Sequence, residues 1–218
     1  MHVVLLDNRD SFVYNLVDQF ASLGASIEVY RNTAPAATVL RALEPGGGHA
    51  PTDTARSGRP VLCLSPGPGH PRTSGNLMEL IHAAVDRTIP TLGICLGFQA
   101  IVEACGGAIG RVGPVHGRSV RVELTEAGRT SPAFQALPDG RLDVARYHSL
   151  GTRELPAALT PLAVTTAEDP VGSGVVMAAR HRSRPVVGLQ FHPESVLTPQ
   201  GPGILHALTA DLAAAAAT

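Results

Sequence analysis

Along the first hundred residues, short apolar runs alternate with stretches in which apolar side chains recur every three or four positions. Val3-Val4-Leu5-Leu6 is a continuous apolar run ending at Asp7, the pattern of a strand buried on both faces. Asp10 or Ser11 then offers an N-cap for a helix with Phe12, Leu16, Phe20 and Leu23 along one stripe, stopped by Gly24. A second strand is expected over Ile27–Tyr30 and a short helix over residues 36–43. Residues 44–59, rich in Pro, Gly and Ser, read as a surface loop. Val61–Leu64 gives a third strand, broken by Ser65-Pro66-Gly67-Pro68-Gly69. A helix over 76–87, a strand over Thr91–Ile94 and a helix from Leu96 to Ala104 follow, the last stopped by Gly106-Gly107. Such alternation predicts an open, mostly parallel, doubly wound α/β sheet with right-handed crossovers.

Beyond residue 110 the texture changes. Segments 118–124, 142–146, 162–166, 174–180 and 186–191 are short and strand-like, with turn residues between them. They are expected as antiparallel additions to the same sheet in the C-terminal half. A last helix is expected over 201–216. With no long linker and no internal repeat, residues 1–218 read as a single domain.

Composition narrows the function classes. Of 218 residues, 44% are apolar and 16% charged, which makes the chain globular and not disordered. Lys plus Arg is 17 against 18 for Asp plus Glu, a net charge of −1, so there is no electrostatic footprint for nucleic acid or an anionic membrane. No apolar run approaches the roughly 20 residues of a membrane span. Residues 1–6 lead straight into Asp7 without a basic stretch or an apolar signal core, so a cytoplasmic chain with reduced thiols is expected. Three cysteines, Cys63, Cys95 and Cys105, are too few for a disulfide framework and lack metal-ligand spacing. They raise instead the question of a nucleophile.

Gly93-Ile94-Cys95-Leu96-Gly97 is the cysteine counterpart of the G-x-S-x-G turn that carries a nucleophile between a strand and a helix. Glycines two positions before and after let backbone segments pack closely beside a tight turn. The thiol points away from the strand end, the positive end of the next helix faces it, and the Leu96 N–H is placed to bind an oxyanion. Taken alone, a cysteine here is as readily an inert core residue. A base is needed, and nine histidines compete. His192 stands apart, because Phe191-His192-Pro193-Glu194-Ser195 follows the apolar strand 186–191. That puts an imidazole at the carboxyl edge of the sheet, where sites form in open α/β folds. Glu194, two residues on, is placed to accept from one ring nitrogen and leave the other for the thiol. Ser65–Gly69 adds a rigid loop with exposed backbone groups, and Gly67 offers a second oxyanion donor opposite Leu96.

These pieces, in this order, resemble the class I (triad) glutamine amidotransferases, and the resemblance covers nearly the whole chain. Asp7–Leu16 (DNRDSFVYNL) is similar to the opening motif of the glutaminase subunits of anthranilate and aminodeoxychorismate synthases. So are Ser65–Gly69, Gly93–Ala100 (GICLGFQA), His116-Gly117, Arg146–Leu150 (RYHSL), Met177–His181 (MAARH) and Gln190–Ser195 (QFHPES). Ile101–Gly107 (IVEACGG) and Val144–Leu150 (VARYHSL) look more like the anthranilate member. Arg9 stands where that opening motif often carries an aromatic or aliphatic residue, and Phe98 where histidine is common.

The resemblance implies a flavodoxin-like fold and assigns roles. Cys95 would attack the side-chain amide of L-glutamine, His192 would act as base and then acid, and Glu194 would orient His192. Gly67 and Leu96 N–H groups would form the oxyanion hole, and Gly67, Pro68, Gly69, Gln99, His148 and Ser149 would bind glutamine. Gln99 lies four residues after Cys95, one helical turn on and on the same face. The chain itself would need no cofactor and no metal. Ammonia would pass to a chorismate-using synthase subunit, which would carry the chorismate site and its Mg2+, in a heteromeric complex making anthranilate for tryptophan. The alternative amination product is aminodeoxychorismate. A cysteine γ-glutamyl hydrolase would share the cysteine turn and the histidine but would not require the opening motif or RYHSL. A binding subunit with a vestigial site would not require an intact Cys95, His192 and Glu194. Cys63 and Cys105 are expected to be structural.

Overall fold

The computed structural model describes residues 1–44, 58–113, 117–135, 137, 140–169 and 172–215. The strands are β1 (His2–Asp7), β2 (Ser26–Arg31), β3 (Val61–Leu64), β4 (Thr91–Ile94), β5 (Gly110–Arg111), β6 (Arg118–Leu124), β7 (Arg141–Arg146), β8 (Leu150–Gly151), β9 (Leu159–Thr165), β10 (Val176–His181) and β11 (Val186–Leu189). The helices are α1 (Val13–Ser22), α2 (Ala36–Ala42), α3 (Leu77–Asp86), α4 (Leu96–Ala104), α5 (Glu126–Arg129) and α6 (Gly201–Ala214). A 3-10 turn spans Pro71–Thr73.

One sheet runs β2-β1-β3-β4-β11-β10-β9-β6-β7, and β5 pairs with β8 in a separate ribbon. The expected α/β fold with a parallel core and antiparallel additions is present. One detail differs. The sequence pattern places segment 186–191 among the antiparallel additions, but β11 lies parallel to β4, with Val186 opposite Thr91 and Leu189 opposite Ile94. The chain reaches that position only after β10, which is antiparallel to β11. The last helix ends at Ala214, and residue 216 of the expected span lies outside the described residues, as does most of the 44–59 loop.

The all-apolar reading of β1 follows from a strand covered on both sides. Val3 and Leu5, with Cys63, face Leu16 and Phe20 of α1 and Leu205 and Leu208 of α6. Val4 and Leu6, with Leu62 and Leu64, face α2, α3 and α4 through Val39, Leu80, Phe98 and Ile101. Alternation along each strand thus fills two apolar layers, each fully buried side chain being worth about 1.5–3 kcal/mol. Neither Asp10 nor Ser11 caps α1; Phe12 occupies that position with no side-chain cap bond. Asp10 Oδ1 instead accepts from the Phe12 N–H at 2.7 Å, closing the turn before it. Phe12 leaves the helical stripe and serves the site described next.

Candidate active site

Three neighbouring strands end on one edge, and each delivers a piece of the site. After β4 the chain turns at Cys95 with φ 51° and ψ −97°, and α4 starts at the next residue. The glycines on either side explain why this turn closes. A Cβ on Gly93 would lie 2.6 Å from the Gly97 backbone, and one on Gly97 would run into the Leu64 carbonyl oxygen. Strand β4 and helix α4 therefore approach through hydrogen atoms only. The Cys95 N–H donates to the Leu189 carbonyl at 2.8 Å, tying the turn to β11.

From β11 the chain continues through Gln190 and Phe191 to His192. His192 Nδ1 donates to Glu194 Oε1 at 2.6 Å. The Cys95 sulfur is the other side-chain partner that acts on this imidazole, so the ring is subject to both the carboxylate and the sulfur. Burial alone would lower the His192 pKa. The hydrogen bonds to Cys95 and Glu194 and the negative charge of both outweigh that, and hold it well above the usual histidine value. Two rings fix the imidazole laterally: Tyr147 at 5.1 Å and Phe12 at 5.4 Å between centroids, both edge-on. Phe12 and Tyr147 also touch one another at 5.3 Å.

The loop after β3 supplies the third piece. Gly67 packs where any Cβ would meet Asn8 Cβ at 2.6 Å and Leu96 Cδ2 at 2.8 Å, so its backbone lies against the start of α4. Asn8 braces this loop: its N–H donates to Ser65 Oγ at 2.9 Å and its Nδ2 to the Ser65 carbonyl at 3.0 Å. Pro68 and Gly69 are exposed, and Gly67 is half-buried. Behind the loop, Glu103 of α4 accepts from Arg72 Nε at 3.1 Å and lies 3.7 Å from His70 Nε2.

Of the residues expected to bind glutamine, Gln99 and His148 are buried beside the site and Ser149 is exposed. Gln99 Nε2 donates to the Leu150 carbonyl at 3.0 Å and to Gln190 Oε1 at 3.3 Å. His148 Nδ1 donates to the same Leu150 carbonyl at 2.8 Å. Burial and the adjacent Arg146 guanidinium push the His148 pKa down to about 3, against that hydrogen bond. Gln99 Oε1 and His148 Nε2 are both buried with no hydrogen-bond partner among the described residues, and both are acceptors. His116 lies outside the described residues. Cys63 sits in β3, where burial and then the Glu194 carboxylate push its thiol pKa up, and Cys105 is the half-buried C-cap of α4. No group of three or more His, Cys, Asp or Glu among the described residues could hold a metal ion.

Residues 4–211 match the family Glutamine amidotransferase class-I. The chain belongs to this family. Among curated relatives it is 45% identical to anthranilate synthase component 2 of Corynebacterium glutamicum, over 94% of each chain. It is 41% identical to anthranilate synthase component 2 of Vibrio parahaemolyticus, over 94% of this chain and 92% of that one. Among solved amidotransferases, its fold superposes on one from Thermotoga maritima with a TM-score of 0.68 over 99% of both chains, at 18% identity.

Several further residues surround the site. Asn8, Phe12, Tyr147, Gln190 and Thr198 all brace the cysteine, the histidine or the Gly67 loop. Four of them fall inside the quoted motifs, which was the available signal; Thr198 lies three residues beyond the last one.

Proposed function

We propose that this chain is the glutaminase component of an anthranilate synthase, a single amidotransferase domain acting in the cytoplasm. The observation that carries the reading is the buried line Glu194–His192–Cys95, with the sulfur on a positive-φ turn at the start of α4. The anthranilate assignment is supported by the names of the relatives above and by the RYHSL and IVEACGG segments.

In this reading His192 takes the Cys95 proton and the sulfur attacks the amide carbon of the glutamine side chain. A tetrahedral oxyanion forms between the N–H groups of Leu96 and Gly67. His192 then protonates the departing ammonia, leaving a γ-glutamyl thioester. Water, deprotonated by the same histidine, attacks the thioester and releases glutamate and the thiol. Glu194 keeps the ring in the tautomer and orientation both steps need. Losing one oxyanion donor from such a site costs about 10²–10³ in rate. Gly67, Pro68, Gly69, Gln99, His148 and Ser149 form the glutamine cleft. The orphaned acceptors Gln99 Oε1 and His148 Nε2 suit N–H donors of an amino-acid substrate.

Ammonia passes to a synthase subunit that aminates chorismate, and chorismate and Mg2+ belong to that partner. The test is a reconstitution with the synthase subunit, measuring glutaminase turnover and the aromatic product. The expected outcome is glutamine-dependent anthranilate formation, abolished in Cys95→Ser while free ammonia still supports synthesis. Full glutamine-dependent activity in Cys95→Ser ends the proposal, and aminodeoxychorismate in place of anthranilate moves the chain to the other chorismate-using synthase.

A further inference from the structure

Three buried polar side chains behind Cys95 form a hydrogen-bonded line with a single consistent polarity. The Leu150 carbonyl accepts from both His148 Nδ1 and Gln99 Nε2. A carbonyl only accepts, so Gln99 must present its nitrogen there. The same nitrogen donates to Gln190 Oε1, which leaves the Gln190 nitrogen on the far side, 3.7 Å from Cys95 Sγ. Turning the Gln190 amide over would set N–H against N–H at Gln99 and a carbonyl oxygen against the sulfur. Gln190 is fully buried at the end of β11, one of the two strands that cradle the cysteine turn. Shielded from water, an N–H aimed at a charged acceptor counts for more than it would at the surface.

We propose that the Gln190 carboxamide is a further catalytic residue of this site, donating a hydrogen bond to the Cys95 sulfur whenever that sulfur carries charge. The inference rests on Cys95 being the nucleophile, as proposed above. His192 contacts the sulfur as one donor, and Gln190 adds a second that undergoes no protonation change. When attack forms the thioester, the sulfur loses its charge and this bond weakens. When water breaks the thioester, sulfur leaves as an anion and the N–H is already in position. Gln190 therefore acts in both halves of the reaction without moving a proton. The line also couples substrate to nucleophile: glutamine seated against Gln99 and His148 presses on the amide that aims the Gln190 N–H.

The test compares Gln190→Met and Gln190→Glu with wild type. Both variants keep the side-chain length, and neither has an N–H for the sulfur; Glu retains the acceptor for Gln99. The first readout is the rate of Cys95 alkylation by iodoacetamide at neutral pH, relative to its alkaline limit. We expect that ratio to fall about tenfold or more in both variants, with kcat falling 10- to 100-fold and the glutamine KM changing far less. A merely structural Gln190 would lower the melting temperature and leave the alkylation ratio and the kcat-to-KM split of Gln190→Met unmoved, which would overturn the proposal; in Gln190→Glu the carboxylate itself repels the thiolate, so that variant only sets the larger limit of the effect. A second measurement needs no Gln190 variant: the side-chain amide resonance of Gln190 should shift on Cys95→Ala, and an unshifted resonance also overturns it. Failure of the underlying reading looks different. There, wild-type Cys95 would resist a diazo-ketone glutamine analogue, whereas a labelled wild type with unchanged Gln190 variants rejects the Gln190 role alone.

Discussion

Cys95 is held in a backbone conformation that non-glycine residues avoid, at a cost of roughly 1–3 kcal/mol that surrounding contacts must over-determine. The contacts responsible are those that only glycine permits at positions 93 and 97. Gly97→Ala would drive a methyl group into the Leu64 carbonyl and push α4 off β3. We expect a loss of about 1–3 kcal/mol in denaturant unfolding, with glutaminase turnover falling further than stability accounts for. Wild-type turnover in a folded Gly97→Ala protein would show that the turn geometry is not critical. This residue was legible in the sequence because its determinants lie within two positions of it. Gln190 was not, because its significance depends on an atom 95 positions away. Nor was the cap of α1, where local preference pointed to Asp10 or Ser11 and the packing of Phe12 on Tyr147 and His192 prevailed.

Between elements, one hydroxyl joins β7 to the turn that carries the histidine. Thr198 Oγ1 accepts from the Ala145 N–H at 2.9 Å and donates to the His192 carbonyl at 2.7 Å, while the His192 N–H donates to the Ala145 carbonyl at 3.2 Å. Thr198→Val keeps the shape and loses both bonds. We expect about 1–3 kcal/mol of destabilisation and reduced kcat, with Thr198→Ser restoring most of both; equal behaviour of Val and Ser variants would remove the clamp from the account. One residue after β7's Ala145, Arg146 Nη1 donates to both oxygens of Asp169 at 2.8 and 3.0 Å, with both side chains fully buried. Asp169→Ala strands that charge directly before Tyr147 and His148. Removing one partner of such a pair costs about 3–5 kcal/mol, measurable as a lowered denaturation midpoint. The strands themselves were foreseen from their apolar runs, whereas the β5–β8 ribbon was not, because two-residue strands carry no periodicity to read.

At the scale of the whole molecule, two buried histidines set opposite pH limbs. His148 titrates at about 3 in the fold and at about 6.5 when unfolded. The unfolded chain therefore takes the proton first. The stability His148 contributes is complete above about pH 6.5 and is lost progressively as pH falls toward 3. His192 is raised well above its ordinary value, so its contribution is complete below that value and is lost as pH rises through the folded one. Denaturant unfolding between pH 7 and 4 should show a steep acid limb in wild type and a shallower one in His148→Gln. Equal slopes would assign the acid sensitivity elsewhere.

Periodicity and local turn chemistry in the sequence determined the strand–helix alternation, the cysteine turn and the His-x-Glu pair, because each is written within a few consecutive positions. Tertiary structure alone decided that β11 runs parallel beside β4, and with it that residues 95 and 192 meet. Strand order is a global solution for burying two apolar faces, and short apolar runs of similar composition do not encode which neighbour each will choose. The same packing decided which buried amide faces the sulfur, since hydrogen-bond polarity is fixed only once every partner in the line is in place.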